Sequence, residues 1–170
     1  MNNILGFASS VLLLFALTVP AAGQPSDWPQ WRGPNRDSVS AETGLLKQWP
    51  AGGPPLAWKA KGLGLGHATV SVSGARLYTA GDKAESSYVI ALNIADGKTI
   101  WATKLGRAGA PGWGGFTGPR STPTVDGNLV FAVGQWGELV CLDAVTGQER
   151  WRKDLSGDFG GPRPEWGYSE

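Results

Sequence analysis

One histidine and one cysteine are the whole supply of imidazole and thiol in this chain of 170 residues. His67 could act as a general base, but the sequence offers it no carboxylate to orient the ring and no paired nucleophile, and an isolated histidine more often ends a strand or faces solvent. Cys141 lies between Val140 and Leu142. It could be a redox thiol, and its apolar neighbours favour the alternative of a small buried apolar residue. Counting alone removes a Cys-rich zinc site, an internal disulfide and a two-histidine metal motif. Gly62, Gly64 and Gly66 alternate with other residues, a spacing that fits neither a dinucleotide fingerprint nor a P-loop; they read as a flexible strand entry. Trp113, Arg120, Arg163 and Trp166 sit in connections rich in Gly and Pro, where arginine and indole together could stack on a planar quinone or a peptide. The competing reading is a structural loop with a solvent-facing cation. No catalytic and no metal-binding residue is assigned.

The elements that must position these residues are short strands. Gly 26 and Pro 12 make up about a fifth of the chain, below the level that marks low complexity. A formal net charge of +1 is far from the basic excess that nucleic acid requires. Nine tryptophans among many glycines point to a repeated β architecture. Sliding the chain by 50 positions aligns Leu92, Gly97 and Trp101 with Leu142, Gly147 and Trp151, and upstream Gly74–Gly81 matches Gly127–Gly134 at an offset of 53. The offset changes at the polar stretch 82–87, as a loop insertion between repeats would make it. Within the copies, β-rich runs at 70–72, 76–79, 88–94, 129–133 and 138–142 alternate with turn signals. Leu45, Leu46 and Trp49 could share one helical turn, which Pro50 would end. About 50 residues holding four short strands is the size of a propeller blade. The expected fold is all-β: a β-propeller of four-stranded antiparallel blades, with only two to three blades present and the ring incomplete.

The repeat itself reads Leu142, Asp143, three residues, Gly147, three residues, Trp151; the first copy has Leu92, Asn93, Gly97 and Trp101. An acidic or amide side chain that accepts turn N–H groups, followed by a glycine free to take positive φ, suits a tight hairpin. By period two the tryptophan falls on the face of its own glycine, where an indole could fill the wedge between neighbouring blades. This Leu-Asp-x-x-x-Gly-x-x-x-Trp pattern resembles the tryptophan-docking repeat of the pyrroloquinoline-quinone-like (PQQ-like) β-propellers, a family that includes quinoprotein alcohol dehydrogenases and a subunit of outer-membrane protein assembly. Asp27, Trp28, Pro29, Gln30, Trp31, Arg32, Gly33 and Pro34 resemble the opening of exported bacterial members. The resemblance implies docking roles for Leu92, Gly97, Trp101, Leu142, Asp143, Gly147 and Trp151, and it is silent on activity, because one scaffold hosts catalysts and binding platforms alike. Trp58, Lys59, Ala60 and Lys61 are similar to the segments after Trp101 and Trp151, as the last strand of a preceding or closing blade would be.

Quinone-dependent members use a vicinal cysteine pair and a calcium held by acidic and amide side chains; a second cysteine is missing here, and no Asp/Glu/Asn calcium-loop spacing is visible. The reading that follows is an exported, non-catalytic propeller module that binds or scaffolds a protein or small-molecule ligand, needing no cofactor of its own. The alternative is the N-terminal part of a PQQ-dependent dehydrogenase, with PQQ bound only in a complete parent propeller. Residues 1–23 read as a secretory signal peptide, uncharged and ending in Pro20, Ala21, Ala22 and Gly23, with an uncleaved anchor as the alternative; the expected location is periplasmic or secreted, with no membrane span after cleavage. A segment rich in Trp, Pro and Gly occupies 24–57 and the repeats 58–170, with blades at about 66–104 and 120–154 and a third starting near 166. Fewer than three blades would leave an open edge and a tendency to self-associate.

Overall fold

The computed structural model describes residues 27–112 and 116–169; the expected signal peptide at 1–23 and Trp113 lie outside the described residues. Eight strands follow one another: β1 (Ser71–Ser73), β2 (Arg76–Lys83), β3 (Ser86–Asn93), β4 (Thr99–Arg107), β5 (Thr124–Asp126), β6 (Leu129–Val133), β7 (Glu138–Asp143) and β8 (Glu149–Asp154). They form two four-stranded antiparallel meanders, β1-β2-β3-β4 and β5-β6-β7-β8. These are two propeller blades, and two such sheets do not close a ring. The stretch 45–50 is irregular and exposed, so the possible helical turn there is not formed. Residues 66–70 precede β1 without belonging to a strand.

Alternation decides which side chains meet between the blades. Tyr78, Ala80, Val89, Ala91 and Leu105 of the first sheet pack with Val125, Val130, Ala132, Val140 and Leu142 of the second, and Ala144 joins them from the β7–β8 turn. One apolar core therefore lies between the sheets. Cys141, between Val140 and Leu142 of β7, is also buried but is not among these core residues, and burial pushes its thiol pKa up. The Tyr78 hydroxyl donates to the Ala144 carbonyl at 3.1 Å, crossing from one blade to the next.

The β3–β4 and β7–β8 turns share one design. Gly97 N–H donates to the Asn93 carbonyl and Gly147 N–H to the Asp143 carbonyl, both at 2.8 Å, and the two glycines have φ of 68° and 72°, which a Cβ would strain. In each pair the register then slips by one residue just before the tryptophan, between Ala91/Leu92 and between Cys141/Leu142. Such a bulge breaks strict alternation and re-aims the next side chain.

The N-terminal segment ties the first strands of the two blades together. Trp28 and Val72 exchange two backbone hydrogen bonds of 2.8 Å, and Val125 N–H donates to the Pro29 carbonyl at 2.7 Å. Asp27 accepts from Ser73 Oγ and from Gly74 N–H at 3.0 and 2.8 Å. A second seam joins the entries to the blades. His67 and Ala68 N–H both donate to the Pro119 carbonyl, and the Thr69 and Thr122 hydroxyls lie 2.7 Å apart.

Candidate functional site

Three tryptophans end comparable segments, and the structure seats them differently. Trp101 lies across the β7–β8 turn of the second blade. Its indole N–H donates to the Ala144 carbonyl at 3.3 Å, and a Cβ at Gly147 would stand 2.5 Å from its ring. Trp58 does the same one blade earlier: its N–H donates to the Ile94 carbonyl at 2.9 Å, and a Cβ at Gly97 would stand 2.5 Å from its ring. Each glycine is thus covered by the tryptophan of the preceding segment and not by its own, because the bulge turns Trp101 away from the face that simple alternation assigns it. Trp58 belongs to no strand. Trp151 is 42 % exposed and touches Phe131, ring centroids 6.0 Å apart at 50°, as Trp101 touches Tyr78 at 5.9 Å and 49°.

Asp143 is the best-served carboxylate of these turns. It accepts from Val145 N–H, Thr146 N–H, the Thr146 hydroxyl and Arg150. The Thr146 backbone N–H first, then Arg150, hold its pKa well below the ordinary carboxylate range. Asn93 in the equivalent place accepts Ala95 N–H through its side chain. Leu92 and Leu142 are buried in their sheets.

Of the remaining candidates, Arg163 lies where β4 and β8 end, beside the β2–β3 and β6–β7 hairpins. An antiparallel meander puts all of these on one face. There the Arg107 guanidinium lies 3.5 Å from the Trp136 ring centroid and that of Arg163 5.5 Å from it. Arg163 also donates to the Trp136 carbonyl at 3.2 Å, and the Trp136 indole donates to the Ala108 carbonyl at 3.3 Å. Beneath them Glu138 accepts from Arg107 N–H at 3.0 Å. Gly106 and Gly134 leave room for its carboxylate: a Cβ at either would fall within 2.4 Å of it. Gln135 is buried and donates to the Gly109 carbonyl. A notch of about 330 Å³ lined by Ala84, Glu85, Arg107, Ala108 and Gly109 opens alongside. Arg163 was legible in the sequence. Arg107 and Trp136 were not, because Trp136 falls outside the repeat motif, although an unmatched tryptophan in a hairpin is itself a signal.

The other sequence candidates have structural surroundings. His67 meets Phe116 edge-on at 5.7 Å. Arg120 donates to the Phe116 carbonyl at 3.0 Å. Trp166 is exposed. Gly64 and Gly66 pack against the backbone of Asp82 and against Pro119, and Gly62 and Gly64 have positive φ, so the alternating glycines allow close approach of two chain segments. Among the described residues no group of three or more His, Cys, Asp or Glu side chains could hold a metal ion.

Residues 85–166 match the family model described as outer membrane protein assembly factor BamB. This segment carries PQQ-like repeats. Solved structures similar to the chain include BamB from Moraxella catarrhalis, 18% identical over 58% of this chain and 27% of that one, with a TM-score of 0.45. Quinohemoprotein alcohol dehydrogenase ADHIIG from Pseudomonas putida HK5 is 27% identical over 62% of this chain and 15% of that one, with a TM-score of 0.46. The chain thus spans about a quarter of the first and about a seventh of the second. No curated protein matches it. Among the described residues, no helix accompanying the PQQ-like repeats is long and apolar enough to cross a membrane.

Proposed function

We propose that this PQQ-like module is an exported, non-catalytic platform whose connection-bearing face binds a protein partner, with Trp58 and Trp101 serving as docking residues that fix the blades. The observation that carries the reading is the Arg107–Trp136–Arg163 stack. It is a pre-formed cationic and aromatic surface on the blade face where hairpins and connections converge, and Arg and Trp are the residue types that dominate binding hot spots. The single thiol and the single imidazole of the chain are engaged in the fold: Cys141 is buried with a raised pKa, and His67 packs on Phe116.

The competing reading, part of a PQQ-dependent dehydrogenase, makes a different demand on the same chain. Calorimetric titration with PQQ and calcium is expected to show no saturable binding, and an electron-acceptor assay with primary alcohols no turnover. Stoichiometric quinone binding would replace the platform reading with the oxidoreductase one. For the platform, cross-linking from a photoreactive residue at position 84 in periplasmic extracts is expected to trap a discrete partner that Trp136→Ala loses. A pattern unchanged by that substitution would count against this face. Mass analysis of the exported form is expected to place its N-terminus near Ala22 to Gln24; an intact Met1 in membrane fractions would favour an anchor.

A further inference from the structure

The loop that follows Trp28 holds an arrangement that neither the blades nor the platform reading uses. Arg32, Arg36 and Ser38 have φ of 63°, 57° and 63°, three non-glycine residues in the left-handed region within seven positions. Residues so held persist only where the surroundings over-determine them, and they concentrate at ligand sites. Here the surroundings are visible. Gly33 N–H donates to the Gln30 carbonyl, Arg36 N–H to the Gly33 carbonyl and Ser38 N–H to the Arg32 carbonyl, at 2.9 to 3.1 Å. Gly33 is buried under the Trp28 ring, 2.8 Å from where its Cβ would be.

The loop fixes two guanidinium groups by one edge each. Arg32 Nε donates to Ser38 Oγ at 3.1 Å and Arg36 Nε to Gln30 Oε1 at 2.9 Å, while Gln30 Nε2 donates to the Pro34 carbonyl at 3.0 Å. Among the described residues neither arginine has a carboxylate partner, and their terminal N–H groups remain open. Beside Arg32 lies Trp31, 44 % exposed, with the Arg32 guanidinium 5.4 Å from its ring centroid. Gln30, Trp31, Arg32, Arg36 and Thr124 line one cavity of about 260 Å³, room for a single six-membered ring. Open guanidinium forks match a carboxylate in two parallel hydrogen bonds, and an exposed indole offers a flat apolar face to the ring that carries it.

We propose that this loop is a binding site for a six-membered ring bearing a carboxylate, with Arg36 and Arg32 taking the carboxylate, Trp31 the ring and Thr124 a further polar contact. The site is separate from the Arg107–Trp136–Arg163 face and stands or falls without it. An aromatic acid and a uronic acid share this chemistry, and the probes separate them. The full chain is titrated with benzoate and with glucuronate, with benzyl alcohol, glucose, acetate and inorganic phosphate as controls, followed by calorimetry and by the Trp31 indole N–H resonance assigned through Trp31→Phe.

Saturable binding of one ring acid, at least tenfold tighter than acetate, phosphate or the neutral ring, with a shift of the Trp31 signal, is the expected result; which acid it is names the source. Arg36→Gln and Trp31→Leu are each expected to weaken it tenfold or more, and Arg120→Gln, in another connection, to leave it unchanged. Arg36→Lys, which keeps the charge and loses the fork, serves if Arg36→Gln disturbs the fold, and is also expected to bind weakly. Equal binding of acetate and phosphate, no binding of either ring acid, a shift confined to other tryptophans, or full affinity in the folded arginine variants would each overturn the proposal.

Discussion

Gly147 carries two separate demands, a positive φ and the indole of Trp101 lying on its Cα. Gly127 separates them, because its φ is 56° and a Cβ there would meet nothing within 4 Å. Gly127→Ala should therefore cost only the left-handed strain, about 1 kcal/mol. Gly147→Ala should cost roughly 2–4 kcal/mol, since the overlap with the ring adds to that strain. Urea denaturation of both variants checks the order. Combining Gly147→Ala with Trp101→Ala should recover the overlap part as non-additivity, and strict additivity would show that the contact carries no energy. Asp143 makes a second residue-scale prediction. Its folded pKa is depressed, so its contribution is present above the unfolded carboxylate value of about 3.9 and is lost as pH falls through the lower folded value. Asp143→Asn, which copies Asn93 of the first blade, should flatten the acid limb of the stability curve below about pH 4. An unchanged limb in an acid-unfolding series would remove Asp143 from the account of these turns.

At the scale of elements, the tryptophan seats form a graded series. Trp58 and Trp101 each have an indole N–H acceptor and a glycine beneath the ring; Trp151 has Phe131 beside it and, among the described residues, no acceptor for its N–H. Replacing Trp58 or Trp101 by alanine should cost on the order of 3 kcal/mol, and replacing Trp151 closer to 1 kcal/mol. Denaturation midpoints in the order Trp151→Ala above the other two would bear this out, and equal midpoints would deny it. The repeat made much of this legible. The offset of 50 pairs the β3–β4 turn with the β7–β8 turn, the first opened by Asn93 and the second by Asp143, each with its glycine four residues on. What periodicity could not show is pairing between distant segments. The Asp27–Pro29 strap reaches β1 and β5 across some 45 and 96 positions, and nothing in its residues marks those partners. Nor could alternation foresee the bulge at Ile100 that sends Trp101 to the neighbouring blade, since a single extra residue leaves no trace in the pattern of residue types.

For the whole molecule, one apolar core shared between the two sheets leaves the far side of the second blade without such cover. Trp151 and Val145 are exposed there, and Phe131 and Leu139 line a cavity of about 130 Å³ on the same blade. The edge strand is a poor route for pairing: β8 is Glu149–Asp154, charged at every position but Trp151, and charged edge strands resist strand addition. Self-association should therefore run through the apolar face of the second blade and not through the strand edge that the blade count alone suggests. The full chain should bind an apolar-surface dye, and its average mass in sedimentation equilibrium should rise with concentration. Trp151→Lys combined with Val145→Lys should suppress both, because each places a solvated charge in the patch, while Glu149→Gln, which makes the β8 edge less charged, should change neither. A chain that stays monomeric and dye-free, or one whose association is raised by the β8 substitution and untouched by the two lysines, would show that the edge and not the face governs how these blades meet other surfaces.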